Sequence, residues 1–350
     1  MPKVAVIGAT TWGMTLGVVL ARKGLLVSLW VRTKKEATKL RRTGPSSTVL
    51  SGITFPPQLS ITSSLSEALA DVEMVILAVP SQTMRQNVRL LADYLKKSML
   101  VVSAAKGLEI ESGKRMSQVI AEEIDPPFHS NICVLSGPNL AREIGHDLPA
   151  AAVVAAANQA VVRKAHALLT TPNFCVYTNT DVIGTELGGA LKNIIALGAG
   201  IMDGLGYGDN AKAAFVTRGL TEMTALGVAL GANPLTFSGL AGLGDLIATC
   251  ASPLSRNRYV GVELAKGRPL EEITESMEGV AEGVATALAA WSTARQLGLE
   301  MPITEKMYQV LYDSVSPGEV AAELMGAKGR HELTGRKWRL FSRFRRRRKS

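Results

Sequence analysis

The sequence predicts an α/β protein whose first half is a doubly wound, mostly parallel sheet and whose second half is all helical. Three observations carry that reading. Short apolar runs alternate with helical stretches as far as about Asn179, as a parallel sheet with helical crossovers requires. Beyond that point the strand signals stop, and long patterns rich in Ala, Gly and Leu continue to roughly Ala327. The composition, 47% hydrophobic with 5% aromatic and 20% charged residues, suits an interior of small aliphatic side chains and argues against disorder.

The elements follow in order. Residues 3–31 form a βαβ unit: the apolar run Val4-Ala5-Val6-Ile7-Gly8, a small-residue helix over about 13–23, Gly24 as its stop, and a second strand over 25–31. Further apolar runs at 74–79, 99–103, 132–135 and 151–155 read as strands, with helical stretches between most of them. The change of pattern near Asp181 sets the expected boundaries: a sheet domain at 1–180, a helical domain at 181–328 and a basic tail at 329–350. No repeat of fixed period interrupts this scheme.

The formal net charge of +9 points toward nucleic acid until it is located. Arg336, Lys337, Arg339, Arg343, Arg345, Arg346, Arg347, Arg348 and Lys349 carry the whole excess, with no acid among them, so the two domains are neutral overall and no nucleic-acid partner is expected. The tail interleaves these cations with Trp338, Phe341 and Phe344, a composition that suits weak association with an anionic membrane surface. A disordered, solubilising tail without a partner is the leading reading, and membrane association the alternative to it. No uncharged apolar run reaches the roughly 18 residues of a spanning helix, and Met1 to Val4 enters a strand without a signal-peptide pattern. A cytoplasmic protein is expected. Cys133, Cys175 and Cys250 are odd in number and widely spaced, so they read as reduced core or near-core thiols. His129, His146, His166 and His331 show no ligand spacing, and no metal is expected.

Gly8-Ala9-Thr10-Thr11-Trp12-Gly13 lies directly after a strand and opens a helix, where backbone N–H groups hold a dinucleotide pyrophosphate in Rossmann-like folds. Thr10 replaces the middle glycine, and its Cβ is expected to crowd the approach to the pyrophosphate. The second strand ends at Trp30-Val31-Arg32, without the acidic residue that binds a ribose hydroxyl in NAD sites. Arg32, with Lys34 and Lys35 nearby, favours a 2′-phosphate, so NADPH/NADP is the expected cofactor and NADH/NAD the alternative.

Lys192 is the only charged residue between Glu186 and Asp203, on a helix whose same-face neighbours Gly188, Gly189, Ile195 and Ala196 are small or apolar. Burial there brings a lysine toward the range in which it exchanges protons, as carbonyl reduction requires. A lysine that snorkels to water is the competing reading. Lys106 and Asp245 stand in glycine-flanked stretches open to a ligand. Lys106 is a candidate electrostatic donor, and Asp245 a candidate orienter of Lys192 or a plain helix cap. Ser255-Arg256-Asn257 precedes a helical run, placing a serine cap, free amides and a guanidinium where a phosphate fits.

These motifs, together with Ala105 to Glu109, Leu135-Ser136-Gly137-Pro138-Asn139, Gly188 to Asn193, Gly204 to Asn210 and Gly239 to Asp245, resemble bacterial-type NAD(P)-dependent glycerol-3-phosphate dehydrogenase over about residues 3–325. The resemblance implies NAD(P)H-dependent, reversible reduction of dihydroxyacetone phosphate to sn-glycerol 3-phosphate, for glycerophospholipid synthesis, with Lys192, Lys106 and Asp245 as catalytic residues. It implies substrate contacts from Lys106, Gly137, Asn139, Lys192, Asp245, Ser255, Arg256 and Asn257. Nucleotide contacts are implied for Gly8, Thr11, Trp12, Gly13, Arg32, Lys106, Ala141, Arg256, Val280 and Glu282. Thr10, Asn139 in place of the family's usual serine, and the basic tail depart from the pattern. A β-hydroxyacid or 6-phosphogluconate-type dehydrogenase is the rival enzyme, and a catalytically silent NADP(H) sensor the rival from another class. The Ala/Gly-rich helical half is compatible with a homodimer.

Overall fold

The protein is described here from a computed structural model. The described residues are 1–45 and 50–326, so the basic tail at 329–350 lies outside them. One eight-stranded sheet contains β1 (Lys3–Ile7), β2 (Leu26–Trp30), β3 (Leu59–Thr62), β4 (Met74–Leu77), β5 (Leu100–Ser103), β6 (Ile132–Ser136), β7 (Ala150–Ala155) and β8 (Phe174–Asn179). Their order is β3-β2-β1-β4-β5-β6-β7-β8, and every neighbouring pair is parallel except β6 with β7. The inner strands β4, β5 and β6 are buried at every position because helices cover both faces of the sheet, and this is why they read as unbroken apolar runs.

Two strands absent from the expected set occupy the sheet's edges. β3, Leu-Ser-Ile-Thr, is short and half polar, and β8 alternates buried Phe174 and Val176 with exposed Cys175 and Tyr177. Cys175 is therefore on the surface, whereas Cys133 and Cys250 are buried and their thiols are pushed up to about 12 by desolvation. Strand order reverses between β1 and β4, and the crevice beyond their carboxyl ends is where a doubly wound sheet binds its ligand.

From Val182 onward all regular structure among the described residues is helical. The helix Val182–Gly204 forms the axis of this half and is buried on nearly all sides, as its apolar circumference dictates. It meets the helix Arg256–Ala265 backbone to backbone. A Cβ on Gly200 would lie 2.1 Å from the Arg258 carbonyl oxygen, and one on Gly261 would lie 2.0 Å from that of Leu197. That close approach brings Asn257 within 2.8 Å of Asn193, beside Lys192.

Carboxylates from the helical half fasten onto the sheet half. Glu186 accepts from Ser117 N at 2.7 Å and pairs with Arg115 at 2.5 Å, closing the start of the helix Met116–Glu123. Glu282 accepts from Ser81 N at 2.9 Å and from the Ser81 hydroxyl, gripping the loop after β4.

Within the helical half, Glu222 accepts from the amides of Ile303 and Thr304 at 2.6 and 3.1 Å. Burial nevertheless raises its carboxyl to about 7, because two amides replace its lost hydration only in part. The folded state thus binds this proton more tightly than the unfolded chain. The resulting stability is complete below pH about 4.5 and is lost as pH rises through about 7. Glu222→Gln, which does not titrate, is expected to show a smaller fall in Tm between pH 5 and 8 than wild type. Parallel Tm curves for the two proteins would contradict this account of Glu222.

Candidate active site

A cleft of about 530 Å³ runs from the turn after β1, across the sheet's switch point, to the helical half. Gly8 has φ +104, and a Cβ there would lie 2.8 Å from Val79. A Cβ on Gly13 would lie 2.1 Å from the Gly8 carbonyl oxygen, so both glycines serve the tight turn beneath the cleft. The expected crowding by Thr10 takes another form. Its hydroxyl donates to the Ala78 carbonyl at 2.7 Å and accepts from Gly13 N at 3.1 Å, capping the helix Thr11–Arg22 and tying the turn to β4. At the first two positions of that helix, the amides of Thr11 and Trp12 have no acceptor within the helix, and the buried Trp12 indole N–H has no partner. This donor set, with no side-chain carboxylate in the turn, fits a dinucleotide pyrophosphate.

At the far end, three elements converge on one carboxylate. Asp245, only 1% exposed, starts the helix Asp245–Ala251. Its Oδ2 lies 2.6 Å from Lys106 Nζ and its Oδ1 2.9 Å from Lys192 Nζ. It is not a helix cap, since Gly244 holds that position. Lys192 is 6% exposed and also donates to Thr249 Oγ1 at 2.5 Å, so its ammonium is held in the interior and does not snorkel. Lys106 donates to the Gly137 carbonyl at 2.7 Å. Gly137 has φ +126, a conformation that turns this carbonyl at the cost of excluding most side chains. Desolvation pulls the Lys106 ammonium down to about 8, against the opposing pull of Asp245 and with help from Lys192.

Ser255 caps the helix Arg256–Ala265, its hydroxyl accepting from Arg258 N at 3.2 Å. Arg256 is exposed at the cleft mouth, with its guanidinium against Gly279, where a Cβ would come within 2.4 Å. Asn257 is tied into a chain, accepting from Gly283 N at 2.9 Å and donating to Asn193, which donates to the Lys106 carbonyl at 3.3 Å.

Thr11, Trp12, Lys106, Asn139, Ala141, Lys192, Asp245, Ser255, Arg256, Asn257, Val280 and Glu282 all line this cleft. Gly8, Gly13 and Gly137 shape its walls from beneath. Arg32 is exposed beyond β2 and does not line it. Two residues at the site had not been singled out. Thr249, one helical turn after Asp245, bridges that residue and Lys192, and i,i+4 spacing alone would have found it. Asn193 links Asn257 to the Lys106 loop.

A nicotinamide-dependent dehydrogenase, with a lysine pair at the far end of its cleft, is the class that this fold and cleft define. Residues 3–162 match the family described as NAD-dependent glycerol-3-phosphate dehydrogenase N-terminus, and residues 181–322 match its C-terminus. A relative in Dehalococcoides mccartyi, named glycerol-3-phosphate dehydrogenase (NAD(P)+), is 61% identical over 349 residues, covering 99% of this chain and 97% of its own. One of the same name in Geobacter metallireducens is 48% identical over 323 residues, covering 92% and 96%. Among solved structures, glycerol-3-phosphate dehydrogenase from Coxiella burnetii superposes with a TM-score of 0.88 at 33% identity, over 93% of this chain and 99% of the other. The enzyme from Saccharomyces cerevisiae gives 0.78 at 28% identity, over 93% and 100%. The chain belongs to the NAD-dependent glycerol-3-phosphate dehydrogenase family.

Asn139 offers a direct test of the cleft. Both polar atoms of its amide are buried without a partner among the described residues, a state that destabilises a fold unless a ligand completes it. Asn139→Ala is expected to keep or raise Tm while lowering kcat/KM about tenfold. A loss of Tm with unchanged kinetics would make Asn139 a structural residue.

Proposed function

We propose that the protein reduces dihydroxyacetone phosphate to sn-glycerol 3-phosphate, reversibly, with NADPH or NADH. The observation that carries this reading is the single Asp245 carboxylate shared by Lys106 and Lys192, which leaves one net positive charge facing the cleft. The reduced nicotinamide, when bound, supplies hydride to the ketone carbon. Lys192 gives its proton to the oxygen that becomes a hydroxyl, and Lys106 stabilises the negative charge developing there. Asp245 holds both ammonium groups in place, and Thr249 fixes the direction of the Lys192 proton. In glycerol 3-phosphate oxidation the same lysine takes the proton back.

Ser255, the amides that start the helix Arg256–Ala265 and the Arg256 guanidinium receive the substrate phosphate. A carboxylate-only substrate would leave this anion site unused, which disfavours the β-hydroxyacid reading. The intact lysine pair disfavours a silent sensor. Thr11, Trp12, Ala141, Val280 and Glu282 hold the nucleotide along the cleft.

NADPH oxidation in the presence of dihydroxyacetone phosphate tests the reaction. Lys192→Ala is expected to lose about a hundredfold or more in kcat while still quenching or enhancing NADPH fluorescence on binding. Undiminished turnover would remove Lys192 from the chemistry. Lys106 must stay protonated to assist, so kcat/KM for reduction is expected to fall as pH rises through about 8. Lys106→Met, with much lower activity, should lack that limb of the profile.

We also place the enzyme in the cytoplasm, with its basic tail at an anionic membrane surface, where glycerol 3-phosphate is consumed in phospholipid synthesis. The D. mccartyi alignment, at 349 residues, takes in the tail. Among the described residues no helix is long and apolar enough to cross a membrane. Full-length protein is expected to co-sediment with vesicles containing phosphatidylglycerol, and protein ending at Gly326 is not. Equal sedimentation would exclude the tail as the anchor. Homodimerisation through the small-residue helical half remains part of this reading, testable by light scattering.

A further inference from the structure

The nucleotide must lie across the Gly8–Gly13 turn with its nicotinamide toward Lys192, so its adenosine ribose falls on the opposite side of that turn. There the cleft is lined by Glu36, Lys39 and Leu40, from one face of the helix Lys34–Thr43. Thr33 fixes the start of this helix by accepting from Glu36 N at 3.1 Å. Leu40 is buried in the sheet domain's core, which sets the helix's rotation and turns Glu36 and Lys39 toward the cleft.

Neither charged group is engaged. Among the described residues the Glu36 carboxylate, half-buried, and the Lys39 ammonium, exposed, have no hydrogen-bond or ion-pair partner.

We propose that Glu36 and Lys39 together set the choice between the two nicotinamide cofactors. This rests on the cleft being the nucleotide site. Lys39 donates to the 2′-phosphate of NADPH, whereas Glu36 accepts from the 2′-hydroxyl of NADH and repels a phosphate at the same place. Opposite charges on one helix face thus make the site usable by both cofactors, and the balance between them sets the preference. Arg32, outside the cleft lining, and Arg142, across the helix Thr11–Arg22 on the cleft's other wall, are the competing cations.

The test measures kcat/KM for NADPH and NADH at saturating dihydroxyacetone phosphate, with binding of each reduced nucleotide followed by its own fluorescence. Full-length wild type is compared with Lys39→Met, Glu36→Gln, Arg32→Met and Arg142→Met. The NADPH-to-NADH ratio is expected to fall about tenfold in Lys39→Met and to rise about tenfold in Glu36→Gln, the scale of one charge-assisted hydrogen bond gained or lost. Unchanged ratios in both variants, or a shift carried wholly by Arg32→Met or Arg142→Met, overturn the assignment. Wild-type protein that binds neither nucleotide overturns the cleft reading itself, an outcome distinct from altered selectivity.

Discussion

A carboxylate as enclosed as Asp245 needs partners for both oxygens, and here each oxygen meets a lysine from a different part of the chain. Lys106 follows β5 in the sheet half. Lys192 comes from the axis of the helical half, and Asp245 from the helix packed beside it. The triad therefore joins the two halves within the cleft. Removing one partner would leave charge buried and uncompensated, so the geometry of the reacting end and the docking of the halves are the same constraint.

That constraint explains the small residues around it. Lys192 and Asn193 lie on a helix that approaches its neighbours closely at glycines, and bulkier residues there would push Asn257 and Asp245 away. The chain from Gly283 N through Asn257 and Asn193 to the Lys106 carbonyl carries this registration back to the sheet half. Glu186 and Glu282 act at a distance from the chemistry but in the same sense, each committing a carboxylate of the helical half to a loop or helix start of the other. Directional bonds of this kind fix orientation where apolar contact alone would leave it loose.

Much of this was legible in residue patterns, and the gaps have physical causes. β1, β2 and β4 to β7 announce themselves as apolar runs because they are central or covered on both faces. β3 and β8 do not, since an edge strand needs little apolar surface and can alternate with polar residues. The reversal of direction between β6 and β7 left no local trace because pairing sense is a property of the assembled sheet. The isolation of Lys192 among small residues was readable as burial. The role of Thr10 was not, because its partner, the Ala78 carbonyl, belongs to a different strand-end loop.

The buried carboxylates divide into two kinds by the positive charge they meet. Glu186, Glu222 and Glu282 are all raised by burial and each accepts from a backbone amide, Glu186 also pairing with Arg115, so none meets more than one positive charge. Asp245 is instead met by two ammonium groups, one more positive charge than neutralisation requires. The surplus charge costs desolvation even though Lys106 also bonds the Gly137 carbonyl and Lys192 the Thr249 hydroxyl. In the proposed reaction the surplus offsets the negative charge that develops on the substrate oxygen. Under the proposed reaction the site is complementary to a species present only during hydride transfer, and the protein carries the cost of that arrangement in its resting state.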